Sequence, residues 1–169
     1  PPDAALEAVE GDLTAHIGVG VSDPDPDSAA DVVVLRVWSE SNQAVLQLSD
    51  DVAAARVRVL PSEPRSLVVV GQLSHVDGAL AGLRLSHKPL PAEDYSFDGD
   101  DVVHFQLYDA TAAAATNGIG GDMDGEPDAL AAAVAQALAS GVLRVESMQA
   151  SASALLRVRV AARNTPPVL

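Results

Sequence analysis

Carboxylates carry most of the chemistry open to this chain. The run Ser22-Asp-Pro-Asp-Pro-Asp27 places Asp23, Asp25 and Asp27 at every second position. In an extended segment that spacing turns them to one side, and the prolines at 24 and 26 fix φ and hold the loop preformed. Calcium takes about six to eight oxygen ligands, so such a run suits it chemically. The same residues also serve as turn formers, through side-chain to backbone hydrogen bonds. Further acidic residues stand at Glu10 and Asp12 and in the stretch Glu93 to Asp101, which holds Asp94, Asp98, Asp100 and Asp101. Gly121-Asp-Met-Asp-Gly125 looks like the start of an EF-hand loop. The register that suits Gly125, however, puts Gly120 first and Ala131 last, where a bidentate glutamate is needed.

Catalytic groups are sparse. His16, His75, His87 and His104 are scattered, with no His-x-x-x-His pair, and no serine sits in Gly-x-Ser-x-Gly. Gly118-Ile-Gly-Gly121 lacks the lysine of a phosphate-binding loop. With no cysteine, disulfides, thiolate metal sites and cysteine nucleophiles are excluded. These residues do not describe an enzyme. The net charge of −14 argues against nucleic acid and against an anionic membrane surface, both of which need a basic face. No apolar run approaches the ~20 residues of a spanning helix, so the segment is not expected to insert in a membrane.

The elements that must position these groups read mostly as strands. Leu13 to Val21 alternates, and Asp31 to Glu40 is apolar on both faces, as a central strand would be. Shorter runs follow at Ala44 to Leu48, Ala55 to Leu60, Ser66 to Leu73, Val102 to Asp109 and Ala154 to Arg163. Val76, Leu80 and Leu83 predict a short helical turn near 76–82. Within 110–150, Pro127 and Gly141 bracket a helix near 127–140, with Leu130, Val134 and Leu138 on one stripe. Residues 110–126 read as a low-complexity Ala and Gly stretch, and Val142 to Met148 as an extra strand. Trp38 could stack on a sugar, but its apolar strand favours packing between sheets. The expected fold is all-β: one antiparallel sandwich over 1–169, with 110–150 inserted between its last two core strands.

Three segments in order carry a resemblance: Asp23-Pro24-Asp25 after a long strand, residues 71–86 running on to Ala92-Glu-Asp-Tyr95, and a last strand closing in Val-Arg-Val-Ala-Ala-Arg-Asn164. Together they resemble the cadherin-like, immunoglobulin-fold repeats of large bacterial and algal surface proteins. Pro1-Pro2 and Pro166-Pro167 fit such an array, in which a stiff linker joins neighbouring repeats. The resemblance implies an extracellular or cell-surface address, and adjacent repeats of the same protein or other filament proteins as partners. It also implies calcium at the joints. In that topology Asp23, Asp25, Asp27 and Asp109 form an entry pole. Glu10, Asp12, Asp98, Asp100, Asp101 and Asn164 form an exit pole. Thr165 stands where the family linker has an aspartate, which weakens the exit pole as a ligand set. The implied function is a structural or adhesive spacer. The alternatives are a ligand- or glycan-binding sandwich that uses 110–150, and a lateral docking domain of a filament.

Overall fold

The computed structural model describes residues 5–14, 17–23, 31–41, 43–49, 56–61, 65–87, 99–121 and 126–162. Its strands are β1 (Leu6–Val9), β2 (Val32–Ser39), β3 (Ala44–Gln47), β4 (Arg58–Leu60), β5 (Ser66–Gln72), β6 (Arg84–His87), β7 (Gly99–Asp109) and β8 (Ala150–Ala161). Its helices are α1 (Leu73–Ala81), α2 (Ala110–Asn117) and α3 (Pro127–Ala139). Six strands form one sheet in the order β1-β8-β7-β2-β5-β4, and β3 pairs with β6 in a small second sheet.

The pattern of β2 dictates this layering. Val33, Leu35 and Val37 point to one face, into a core shared with α1, Leu46 of β3 and Leu85 of β6. Val32 and Val34 point to the other, where Tyr108, Ala114 of α2 and Ala131, Val134 and Ala135 of α3 meet them. A strand buried on both sides must lie inside its sheet, and β2 is flanked by β5 and β7, both antiparallel. Valine shares the first core almost equally with leucine and the second with alanine. Its branched side chain suits a pleated surface packed on both faces.

Two features depart from an all-β antiparallel sandwich. The large sheet is mixed, because β1 runs parallel to β8, with Leu6 opposite Val158 and Val9 opposite Ala161. In addition, helices α2 and α3 cover much of one sheet face, so the fold is a sandwich-like, β-rich arrangement with a helical layer. Helix α2 was not expected from its low-complexity sequence. The Asp109 side chain accepts from the Ala112 N–H at its start, and Gly118 closes it at φ 65°, a left-handed cap that glycine adopts without strain. Helix α3 falls within the expected 127–140, but its buried face is set by Ala131, Val134, Ala135 and Ala137, while Leu130 and Leu138 are only partly buried. The helix thus turns this apolar side inward.

Val142 to Met148 is a turn and a single 3-10 turn (Val145–Ser147), not a strand. The Leu143 N–H returns to the Ala137 carbonyl at 3.0 Å, which folds the chain back on α3. Leu13 to Val21 is not paired as a strand among its described residues. Its Thr14 N–H meets the Leu85 carbonyl of β6 (2.9 Å), and its Ile17 N–H meets the carbonyl of Leu83, just before β6 (3.2 Å). No helix among the described residues is long and apolar enough to cross a membrane.

Candidate functional site

The carboxylates collect at the two ends of β7. Its eleven residues, Gly99 to Asp109, separate the ends by about 33 Å at ~3.3 Å per residue.

At the Gly99 end, Asp101 faces inward and its side chain is fully buried, as is that of His87 at the end of β6. Asp101 Oδ2 accepts from Ser39 Oγ at 2.7 Å and lies 2.7 Å from His87 Nε2. Its Oδ1 accepts from the backbone N–H of Ser41 (2.9 Å) and Val102 (2.8 Å). Ser41 Oγ lies 3.0 Å from Ser39 Oγ and accepts from the Gln43 N–H at 3.1 Å. Burial by itself would raise the Asp101 carboxyl. The hydrogen bonds from His87, then Ser39 and Ser41, outweigh it and hold the group at about 2, below its ordinary 3.8. The Gly11 N–H meets the His87 carbonyl at 3.0 Å, which ties the turn after β1 into the same knot. One carboxylate therefore fastens the ends of β2, β6 and β7 together.

Serine, aspartate and histidine meet here, but in an order unlike that of a hydrolase. The aspartate lies between the other two, and the Ser39 hydroxyl donates to carboxylate rather than to imidazole. In an acyl-transfer triad the imidazole must stand between them to take the serine proton.

The remaining predicted residues at this end are near the knot but differently engaged. Asp100 is exposed and accepts from Arg159 Nε at 3.1 Å. Glu10 is buried, and its N–H bonds the Ala161 carbonyl at 3.0 Å. Asp12 is exposed and closes a tight turn, its N–H on the Val9 carbonyl at 3.1 Å. Asp98 and Asn164 lie outside the described residues. Asp101, expected as an exit-pole cation ligand, is internal, and both its oxygens are engaged by donors from the protein itself.

At the Asp109 end, Asp23 and Asp109 line one cleft of about 240 Å³ together with Asp31, which the sequence reading did not single out. Asp109 is also the N-cap of α2, with Oδ1 2.9 Å from the Ala112 nitrogen. Asp25 and Asp27 lie outside the described residues, as do Tyr95 and most of the EF-hand-like segment. Three carboxylates at one cleft suit a hard cation in donor type. Yet among the described residues no three acidic or imidazole groups are grouped closely enough to hold a metal ion.

Trp38 is not packed between sheets. It lies on the helix-bearing face of β2, beyond the cover of the helices and partly exposed. Its ring stacks on His104 with centroids 5.0 Å apart and planes 9° from parallel, and the Arg36 guanidinium carbon is 5.1 Å from the ring centroid. Strand parity explains the difference, since Trp38 shares a face with Val32 and Val34 rather than with Val33 and Leu35.

A further cleft, of about 450 Å³, opens between α2 and the start of β8, lined by Ala112, Ala113, Leu143, Met148, Gln149 and Ser151. No family model, no curated protein and no solved structure matches this chain.

Proposed function

We propose that this chain is a structural spacer unit of an extracellular or cell-surface protein, of cadherin-like immunoglobulin type, with neighbouring units of the same protein as its partners. The observation that carries the reading is the pair of acidic ends on one long strand. Asp23, Asp31 and Asp109 share a cleft at one end of β7, while Glu10, Asp12, Asp100 and Asp101 gather about the other. A spacer needs a stiff body between two joints. Here β7 is hydrogen-bonded along its length to β8 and over Val103–Asp109 to β2, and it has buried side chains on both faces. The two ends have different parts in this reading. The Asp101 knot stiffens one end from within, and the Asp23–Asp31–Asp109 cleft, whose carboxylates are not grouped closely enough to hold a cation alone, would take calcium at a joint only with oxygens from a neighbouring unit.

The test is calcium titration of two copies joined in tandem, following thermal melting and small-angle scattering together. The expected result at millimolar calcium is a higher melting temperature and a longer, stiffer particle. No response in either would reduce the aspartates to turn formers and remove the cation from the joint.

A further inference from the structure

The two free edges of the large sheet are unlike each other. At one, β4 is only three residues long and carries Arg58, a short, charged edge of the kind that discourages pairing with another chain. At the other, β1 takes up only Val158–Ala161 of β8. Residues Ala150 to Arg157 are bonded to β7 on one side, and among the described residues no strand pairs with them on the other. Ala150 through Leu155 are all exposed. From Ser147 to Leu156 there is no charged residue at all, in a chain of net charge −14. A long, neutral, open edge is a template for another strand.

We infer that this edge is the seat of a symmetric dimer, in which β8 of a second copy pairs antiparallel with β8 and joins the two large sheets into one. Three observations point to a second copy. A two-fold axis through Ser153 sets Ala150 opposite Leu156 and Ser151 opposite Leu155, so the strip is its own complement and the contact closes at two chains. The same axis matches a knob to a hole. Leu155 is an exposed large hydrophobic at 61%, and four residues away Ser151 stands at the mouth of the 450 Å³ cleft with Leu143, Met148 and Ala113 behind it. Each copy's Leu155 is carried to the other's cleft. Charge agrees as well. Two copies of this acidity can approach closely only across a strip free of carboxylates. In this register Arg157 of each lies across from the neutral Gln149 of the other, so no like charges are opposed along the strip. The seam adjoins the acidic Asp109 end of β7, since Asp109 borders the 450 Å³ cleft and Ser151 and Ala152 border the Asp23–Asp31–Asp109 cleft; association measured without calcium tests it apart from the spacer reading.

Sedimentation of this chain over a wide concentration range tests it, with hydrogen exchange of the alternate Ala152–Leu156 amides that point away from β7 measured at the same concentrations. The expected result is a monomer–dimer equilibrium in which those amides become protected as the dimer forms. Leu155→Glu and Ser153→Glu should each raise the dissociation constant at least tenfold. Val59→Glu, on the β4 edge, should leave it unchanged. Exchange on the unaltered chain needs no variant to fold, so the test survives a destabilised mutant. A monomer at every concentration overturns the inference and leaves the cleft to a small ligand. A dimer that ignores Leu155→Glu and Ser153→Glu, or that is lost with Val59→Glu, overturns it too.

Discussion

Replacing Asp101 with asparagine isolates what one buried charge does for this fold. The shape is kept. The amide oxygen can still accept from the Ser41 and Val102 N–H groups, while the amide nitrogen confronts Ser39 Oγ and His87 Nε2, both of which can rearrange to accept. What is lost is the preference for the ionised form. A carboxyl that falls from 3.8 unfolded to about 2 folded favours the folded state by about 2 kcal/mol once it is ionised in both. For a chain of this length that is roughly 4–8 °C in melting temperature. Because the folded value is depressed, the contribution is complete above about pH 5 and disappears as pH falls through about 2. The chain has 24 acidic residues, so acid alone destabilises it by many routes, and only the difference from the variant reports Asp101. Urea unfolding followed by Trp38 fluorescence and circular dichroism, from pH 2 to 8, supplies that difference. The gap should be about 2 kcal/mol near neutrality and close towards pH 2. Equal stability at neutral pH would refute the reasoning, and so would a gap that stays constant across the range. Asp101→Ala should cost more, about 3–5 kcal/mol, since it strands buried donors as well as removing the charge.

Three further substitutions probe the elements around the opposite end. Asp109→Ala removes the α2 cap and should lower unfolding free energy by about 1 kcal/mol, with faster amide exchange confined to the first turn, Ala110–Ala113. Gly20→Ala places a Cβ 3.0 Å from Asp77 Oδ1, the oxygen that accepts from the Val21 N–H at 2.7 Å. The carboxylate must shift and weaken that bond, so chemical denaturation should show a loss of about 1 kcal/mol. Asp77→Asn, which keeps an acceptor there, should cost less.

Much of the fold was legible because its signals are local. The double-faced apolar run of β2 required a central strand, the Val76–Leu80–Leu83 spacing marked α1, and Pro127 marked the start of α3. Helix α2 was legible too, in the pair Asp109 and Gly118, but the alanines between them read as low complexity because alanine has helix propensity without a periodic apolar face. Other features depend on neighbours that no local pattern names. The parallel pairing of β1 with β8 joins residues about 150 positions apart. The side of β2 on which Trp38 falls became meaningful only once helices covered part of one sheet face. At the acidic ends, composition and spacing identified carboxylates as the relevant groups, and topology brought Asp23 and Asp109 to one cleft with Asp31. Whether a given aspartate meets solvent or protein was decided by tertiary structure alone. Asp100 and Asp101 are adjacent in sequence, yet strand alternation sends one out to Arg159 and the other in to His87 and Ser39, 14 and 62 residues away. A charge can be buried only where donors from several elements converge on it, and that convergence is a property of the folded chain.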